Sequence, residues 1–152
     1  MAQPVDYFAY GTLLDQRTMR ALAGEWDRLI PARLDGYRIR FGPWSDEWRG
    51  HTADLEPAPG ESVHGVVYRI LTPQLAEIIA AHPGYGAVPV SVVTDDDPLR
   101  AVALASRESS DVGPPSEAYL RAIEEGMRQH GFDPRIARTL RDRAAASGRQ
   151  SG

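Results

Sequence analysis

The chain has 152 residues, 42% hydrophobic and 25% charged, with a formal net charge of −4, the profile of one ordinary globular domain. All 17 basic residues are arginine, and lysine, cysteine and asparagine are absent. That removes lysine Schiff bases, the phosphate-loop lysine, thiol nucleophiles, disulfides, cysteine-ligated metal clusters and N-glycosylation.

Val5 to Tyr10 is β-branched and aromatic and reads as a strand, which Gly11 breaks. Thr12 to Leu14 form a loop, and Asp15 caps a short helix through Met19 and Leu22 that ends near Gly24. From Ala32 to Phe41 the chain alternates, with Tyr37, Ile39 and Phe41 on one face and Arg38 and Arg40 on the other, as in a half-buried strand. Gly42 to Gly50 is expected as a loop whose Trp44 and Trp48 line a pocket or plug a barrel end. Thr52 to Leu55 is a short strand, the Pro57 to Glu61 segment a turn, and Val63 to Ile70 a strand in which Gly65 marks a bulge or close backbone approach. Thr72-Pro73 starts a helix with a capping hydroxyl, and Leu75, Ile78 and Ile79 form its buried face before Pro83 stops it. Val88 to Val93 and Ala101 to Ala105 are strands joined through an acidic turn, Asp95-Asp96-Asp97-Pro98. Ser116 caps a helix with Tyr119, Leu120, Ile123 and Met127 at helical spacing, ended by Gly131. A last helix runs from about Pro134 to Ala146, its Arg135, Arg138, Arg141 and Arg143 forming a solvated face. The expected organisation is a single domain over 1–146 with a flexible tail over 147–152, and the expected class is α+β.

The acidic balance weighs against a nucleic-acid partner. No apolar run approaches a membrane span, and the first residues, Met-Ala-Gln-Pro-Val-Asp, have neither the basic nor the apolar region of a leader. A cytoplasmic protein without a membrane partner is expected. The joint lack of lysine and asparagine beside abundant alanine, arginine, glycine and proline suits a GC-rich bacterial coding sequence.

Four histidines, His51, His64, His82 and His130, are available for acid–base work, and no close spacing joins them into a metal site. Neither a GxSxG elbow nor a GxGxxG loop follows a strand, so serine nucleophile and dinucleotide chemistry lose their usual support. What remains is a strand ending directly in Tyr10-Gly11-Thr12-Leu13-Leu14. Glycine there lets successive N–H groups converge on a carboxylate or developing oxyanion; a plain strand-to-helix turn reads the same residues.

Tyr7-Phe8-Ala9-Tyr10-Gly11-Thr12-Leu13 resembles the signature of the γ-glutamylcyclotransferase-like family, whose first strand runs into a YGSN or YGTL loop. Ala53-Asp54-Leu55 through Gly60 and Val63 to Tyr68 resemble its second block. Tyr85 with Val90-Ser91-Val92 resembles its tyrosine and following strand, and Pro115 to Leu120 with Ile123 and Gly126 its C-terminal "PS..YL..I..G" helix. The resemblance spans about Val5 to Phe132. It implies a small mixed β-barrel with flanking helices, no cofactor and no metal, and a small-molecule γ-glutamyl or other carboxylate-bearing substrate held by Tyr10, Gly11, Thr12, Leu13 and Leu14, with Tyr85 and Tyr119 nearby. It also implies the reaction: the substrate's α-amine attacks its own γ-carbonyl, an amine or peptide leaves, and 5-oxoproline forms. Such chemistry asks the protein for orientation and one proton carrier.

The family's acid–base glutamate sits in an "LD..EG" stretch before the tyrosine, where this chain has Ile79 at the aspartate and His82 at the glutamate. An arginine two residues beyond the tyrosine is replaced by Ala87. Three readings stay open. His82 takes over proton transfer; another segment supplies the carboxylate, Glu77 being nearest in sequence; or the domain is a catalytically inactive member that binds a ligand or partner.

Overall fold

The computed structural model describes residues 2–107 and 111–150. Five strands, β1 (Pro4–Ala9), β2 (Arg28–Ser45), β3 (Gly50–Leu71), β4 (Tyr85–Thr94) and β5 (Asp97–Ser106), close into a barrel in the order β1-β3-β2-β4-β5. All pairs are antiparallel except β1 with β5, which meet in parallel at Tyr7 and Val102. Four helices flank it: α1 (Gln16–Ala23), α2 (Thr72–Ala80), α3 (Glu117–Gln129) and α4 (Pro134–Gln150). The mixed barrel with flanking helices is the expected α+β architecture.

The core is built from Phe8, Leu14, Met19, Val66, Val67, Ile78, Val92 and Ile123, all essentially without solvent contact. Local signals behave as the chemistry dictates. Asp15 accepts from the Arg17 N–H at 3.0 Å and starts α1, which ends at Gly24 with φ 88°. Ser116 Oγ accepts from the Tyr119 N–H at 3.2 Å and starts α3. Asp95 and Asp96 both take left-handed φ, 45° and 70°, in the two-residue turn between β4 and β5. Aspartate fills in a chain without asparagine the turn positions that Asn-Gly commonly holds.

Several boundaries differ from expectation. The 42–50 segment is mostly strand: β2 and β3 stay paired to Trp44↔His51 and Ser45↔Gly50, leaving only 46–49 as the tip. The pairing crosses a bulge between Phe41 and Trp44 because side chains satisfy the displaced carbonyls, His51 Nδ1 lying 2.6 Å from Gly42 O and Thr52 Oγ1 donating to Pro43 O at 2.9 Å. Likewise the 57–61 turn is an interruption within β3, where register shifts between Asp35 and Tyr37 of β2. Thr72 does not cap α2; its hydroxyl accepts from the Gln3 N–H at 3.3 Å, and Gln74 Oε1 accepts from the Leu71 N–H at 2.8 Å. Helix α4 continues past Ala146 to Gln150, with Ser147 buried and its hydroxyl donating to Arg143 O; the last two tail residues lie outside the described residues. Of its arginines, Arg138 is exposed, whereas Arg141 bridges Glu117 and Glu124 of α3 at 2.7 and 2.6 Å and Arg143 donates to Ile39 O of β2. Half of that expected solvated face therefore fastens the helix to its neighbours.

Gly65 and Gly126 are among the glycines at close backbone approaches. At Gly65, paired with Ala32, a Cβ would stand 2.3 Å from Ala9 O, so the expected close backbone approach is realised. At Gly126 a Cβ would stand 2.5 Å from Leu14 Cβ and 2.8 Å from the Asp15 nitrogen, so α3 rests directly on the backbone after β1. Gly126→Ala should destabilise the fold by about 1–3 kcal/mol in urea unfolding, although alanine in a helix interior is otherwise favoured by about 1 kcal/mol. An unchanged or raised midpoint would show that the helix can move aside.

Candidate active site

At one end of the barrel β1, β2 and β5 finish while β3 and β4 begin, and Tyr10, Thr52, Asp54, Tyr85 and Tyr119 collect there. Tyr10 leaves β1 and donates its hydroxyl to Leu104 O of β5. Thr12 to Leu14 make a single 3₁₀ turn in which Leu14 N–H bonds Gly11 O and Asp15 N–H bonds Thr12 O. Among the described residues no hydrogen bond engages the N–H of Thr12 or Leu13. The side chains of Leu13 and Leu14 are buried, so these residues can offer a ligand only their backbone. The turn is braced from behind: Tyr68 Oη donates to Leu13 O at 2.7 Å, His130 Nε2 lies 2.8 Å from Leu14 O, and Gln129 Nε2 donates to Asp15 at 2.9 Å. Such bracing fixes donors before a ligand arrives.

Tyr119, on the first turns of α3, places its hydroxyl 3.7 Å from where a Gly11 Cβ would be, and it accepts from the Ala53 N–H at 2.8 Å. Its own proton has no acceptor among the described residues. Trp48 packs edge-on against this ring at 5.4 Å, while Trp44 is exposed and donates to Asp46; only Trp48 covers this end of the barrel. Tyr85, first residue of β4, holds its hydroxyl 2.7 Å from both Thr52 Oγ1 and Ala53 O.

His82 lies between α2 and β4. Helix α2 begins at the far end of the barrel, beside Leu71, whose partner is Pro4, and carries the chain back to where Tyr85 pairs with Ser106. His82 is half-buried, its ring edge-on to Tyr85 at 6.1 Å between centroids, and its Nδ1 lies 2.7 Å from Ile78 O. A carbonyl only accepts, so Nδ1 carries the proton and Nε2 of the neutral ring keeps its lone pair. No ring hydrogen bond joins His82 to the Tyr10–Leu14 segment. Glu77 stands on the exposed face of α2, one position from the buried Ile78, and makes no contact with this cluster among the described residues.

The carboxylate at this end of the barrel is Asp54, which the sequence reading passed over. It is 1% exposed. Its Oδ2 accepts from Arg40 Nε at 3.1 Å, Arg40 Nη2 at 2.8 Å and Ser106 Oγ, and its Oδ1 from the Ser106 and Leu55 N–H groups, each at 2.9 Å. Arg40 and Asp54 are cross-strand partners, so Arg40, expected on a solvated face, is drawn inward with only 17% of its side chain exposed. With five donors on its two oxygens this carboxylate has no site left for a ligand, and it ties together the ends of β2, β3 and β5. The available signal was an aspartate in mid-strand with an arginine on the neighbouring strand.

Burial raises the phenol of Tyr10, first by desolvation and then by the nearby Tyr85 and Asp54, and burial is also the leading cause of the upward shifts at Tyr7, Tyr68, Tyr85 and Tyr119. Unfolded phenols ionise near pH 10, so the unfolded chain sheds these protons first and stability should fall as pH rises above about 10. Phenolate absorbance should then rise together with loss of folded circular dichroism. Ionisation of these tyrosines within an intact fold would contradict this placement.

The family described as "Gamma-glutamyl cyclotransferase, AIG2-like" matches residues 7–124. Gamma-glutamylcyclotransferase of Mus musculus is 26% identical over 137 residues, covering 83% of this chain and 71% of the relative, and that of Homo sapiens is 27% identical with the same coverage. A solved structure titled "Gamma-glutamyl cyclotransferase" superposes with a TM-score of 0.84 at 24% identity, over 91% of this chain and 87% of its own. YkqA from Bacillus subtilis superposes at 0.79 and 21% identity, over 96% of this chain and 56% of its own. The match over residues 7–124 runs from the first barrel strand into α3, so the chain belongs to the γ-glutamyl cyclotransferase, AIG2-like family.

Proposed function

We propose that the protein cleaves a γ-glutamyl amide by intramolecular cyclisation. The Thr12 and Leu13 N–H groups hold the substrate's α-carboxylate, and Tyr119 donates its free hydroxyl proton to the same ligand. The α-amine nitrogen attacks the γ-carbonyl carbon, and a new C–N bond closes the five-membered lactam. His82 Nε2 takes the proton released from the attacking nitrogen and returns it to the leaving nitrogen as the old amide C–N bond breaks. An amine or peptide and 5-oxoproline leave, with no water consumed and no net proton change. The nucleophile belongs to the substrate, which is why a chain with neither lysine nor cysteine suffices.

The observation that carries this reading is the contact of His82 Nδ1 with Ile78 O at 2.7 Å, which leaves Nε2 to act as a base beside Tyr85. One observation favours the runner-up, a member that binds a carboxylate without turning it over. Asp54, the one buried carboxylate among the described residues, is saturated by its donors, so it leaves His82 without a carboxylate colleague. Incubation with a panel of γ-glutamyl amines and peptides, assayed for 5-oxoproline, separates the two: release from at least one substrate supports catalysis, and saturable binding without release supports the runner-up.

A further inference from the structure

A cavity of about 450 Å³ opens between the β2/β3 hairpin and helices α3 and α4, within the size range of small-molecule sites. None of its lining residues belongs to the Tyr10–Leu14 segment or includes His82, Tyr85 or Tyr119. Its apolar wall is Ile39, Val63, Met127, Ile136 and Leu140. Two acids at its edge are already paired: Glu61 lies 3.6 Å from Arg38 Nη1, and Asp133 is held by Arg135 at 2.7 Å. Two further polar side chains are not. Arg143, half-buried on α4, engages through Nε alone, donating to Ile39 O at 3.3 Å, and its Nη1 and Nη2 have no partner among the described residues. His64, half-buried on β3, makes no ring hydrogen bond among the described residues; its ring stands against Phe132 at 6.4 Å between centroids, with Arg33, Asp35 and Asp133 near enough to act on its charge.

We propose that this cavity binds a small amphipathic carboxylate, its anionic head on the Nη pair of Arg143 with His64 as a second donor, and its hydrocarbon body against Ile39, Val63, Met127, Ile136 and Leu140. The planar guanidinium fork matches a carboxylate's two oxygens. Of the three arginines lining the cavity, Arg38 and Arg135 are paired with Glu61 and Asp133, and the one uncommitted guanidinium that is left suits a single negative charge better than a phosphate dianion. The proposal is independent of the catalytic reading, because it uses none of the same side chains.

Decanoate is the probe, titrated into the full chain by calorimetry and by amide NMR, with decanol and decyl phosphate as comparators. Saturable binding is expected, with shifts at the Ile39, Val63, Met127 and Ile136 amides and with decanoate tighter than either comparator. Arg143→Met should weaken decanoate about tenfold to a hundredfold, and Arg143→Lys, which keeps the charge without the fork, should fall between. Thr139→Trp, at an exposed position lining the cavity, should block binding without unpacking the core, so the proposal stays testable even if Arg143→Met folds poorly. Decanol binding as well as decanoate, shifts centred on Tyr10–Leu14, or wild-type affinity in Arg143→Lys and Thr139→Trp would overturn it.

Discussion

Asp54→Ala is expected to destabilise the protein by about 3–5 kcal/mol, because it removes the carboxylate of a buried ion pair together with the acceptor of two backbone N–H groups. Arg40 donates also to the Asp111 carbonyl at 3.1 Å and the Ser106 hydroxyl at 3.3 Å, whereas the Ser106 and Leu55 N–H groups would lose their acceptor. The ends of three strands are fastened through this one side chain, so the loss should appear as a lower urea midpoint and as broadened resonances around Tyr85 and Tyr119. Asp54→Asn keeps the shape and some of the bonds and should cost less. Joint replacement of Arg40 and Asp54 by apolar residues should recover much of the stability, since a buried ion pair is weak evidence of net stabilisation while half of one is strongly unfavourable. A double variant as unstable as Asp54→Ala would show that the backbone bonds to the carboxylate, and not the pair, carry the effect.

His82→Ala is expected to lower turnover of a γ-glutamyl substrate about 10²–10⁴-fold, the usual contribution of a positioned general acid–base group, with little change in the folding midpoint. The ring is half-buried and its one hydrogen bond, to Ile78 O, lies at a helix end, so stability should move by no more than about 1 kcal/mol. His82→Glu keeps a proton carrier at this position and should retain more activity than alanine. If wild type is inert and His82→Glu gains activity, His82 marks lost catalysis. If His82→Ala turns over as fast as wild type, the proton is carried elsewhere, and the free hydroxyl of Tyr119 becomes the next residue to remove.

The individual elements were legible in the sequence wherever one physical signal governed a segment, whereas the barrel was implied only by the family resemblance. Strand β1 followed from its β-branched and aromatic run, α1 and α3 from Asp15 and Ser116 at their caps, and the β4/β5 turn from the acidic run Asp95-Asp96-Asp97-Pro98, of which Asp97 and Pro98 already belong to β5. The misread places are those where polar side chains do what backbone pairing does elsewhere. His51 and Thr52 carry the β2/β3 hairpin through a bulge, so its tryptophans looked like loop residues. The site divided along the same line. The Tyr10–Leu14 turn and Tyr119 do converge at Gly11, because one is fixed by a strand end and the other by a capped helix. Asp54 and Arg40 stayed hidden because alternation assigns a charged residue to solvent, whereas here two opposite charges face each other across neighbouring strands. Nothing in a single strand's pattern announces that pairing.

The proposed reaction closes a γ-glutamyl group into 5-oxoproline with His82 as the proton carrier. The most direct measurement is 5-oxoproline release from a panel of γ-glutamyl amines and peptides by wild type and His82→Ala side by side. The account predicts release of one 5-oxoproline per amine freed for at least one substrate, reduced about a hundredfold or more in His82→Ala. Binding of these compounds with no 5-oxoproline from any of them would contradict it.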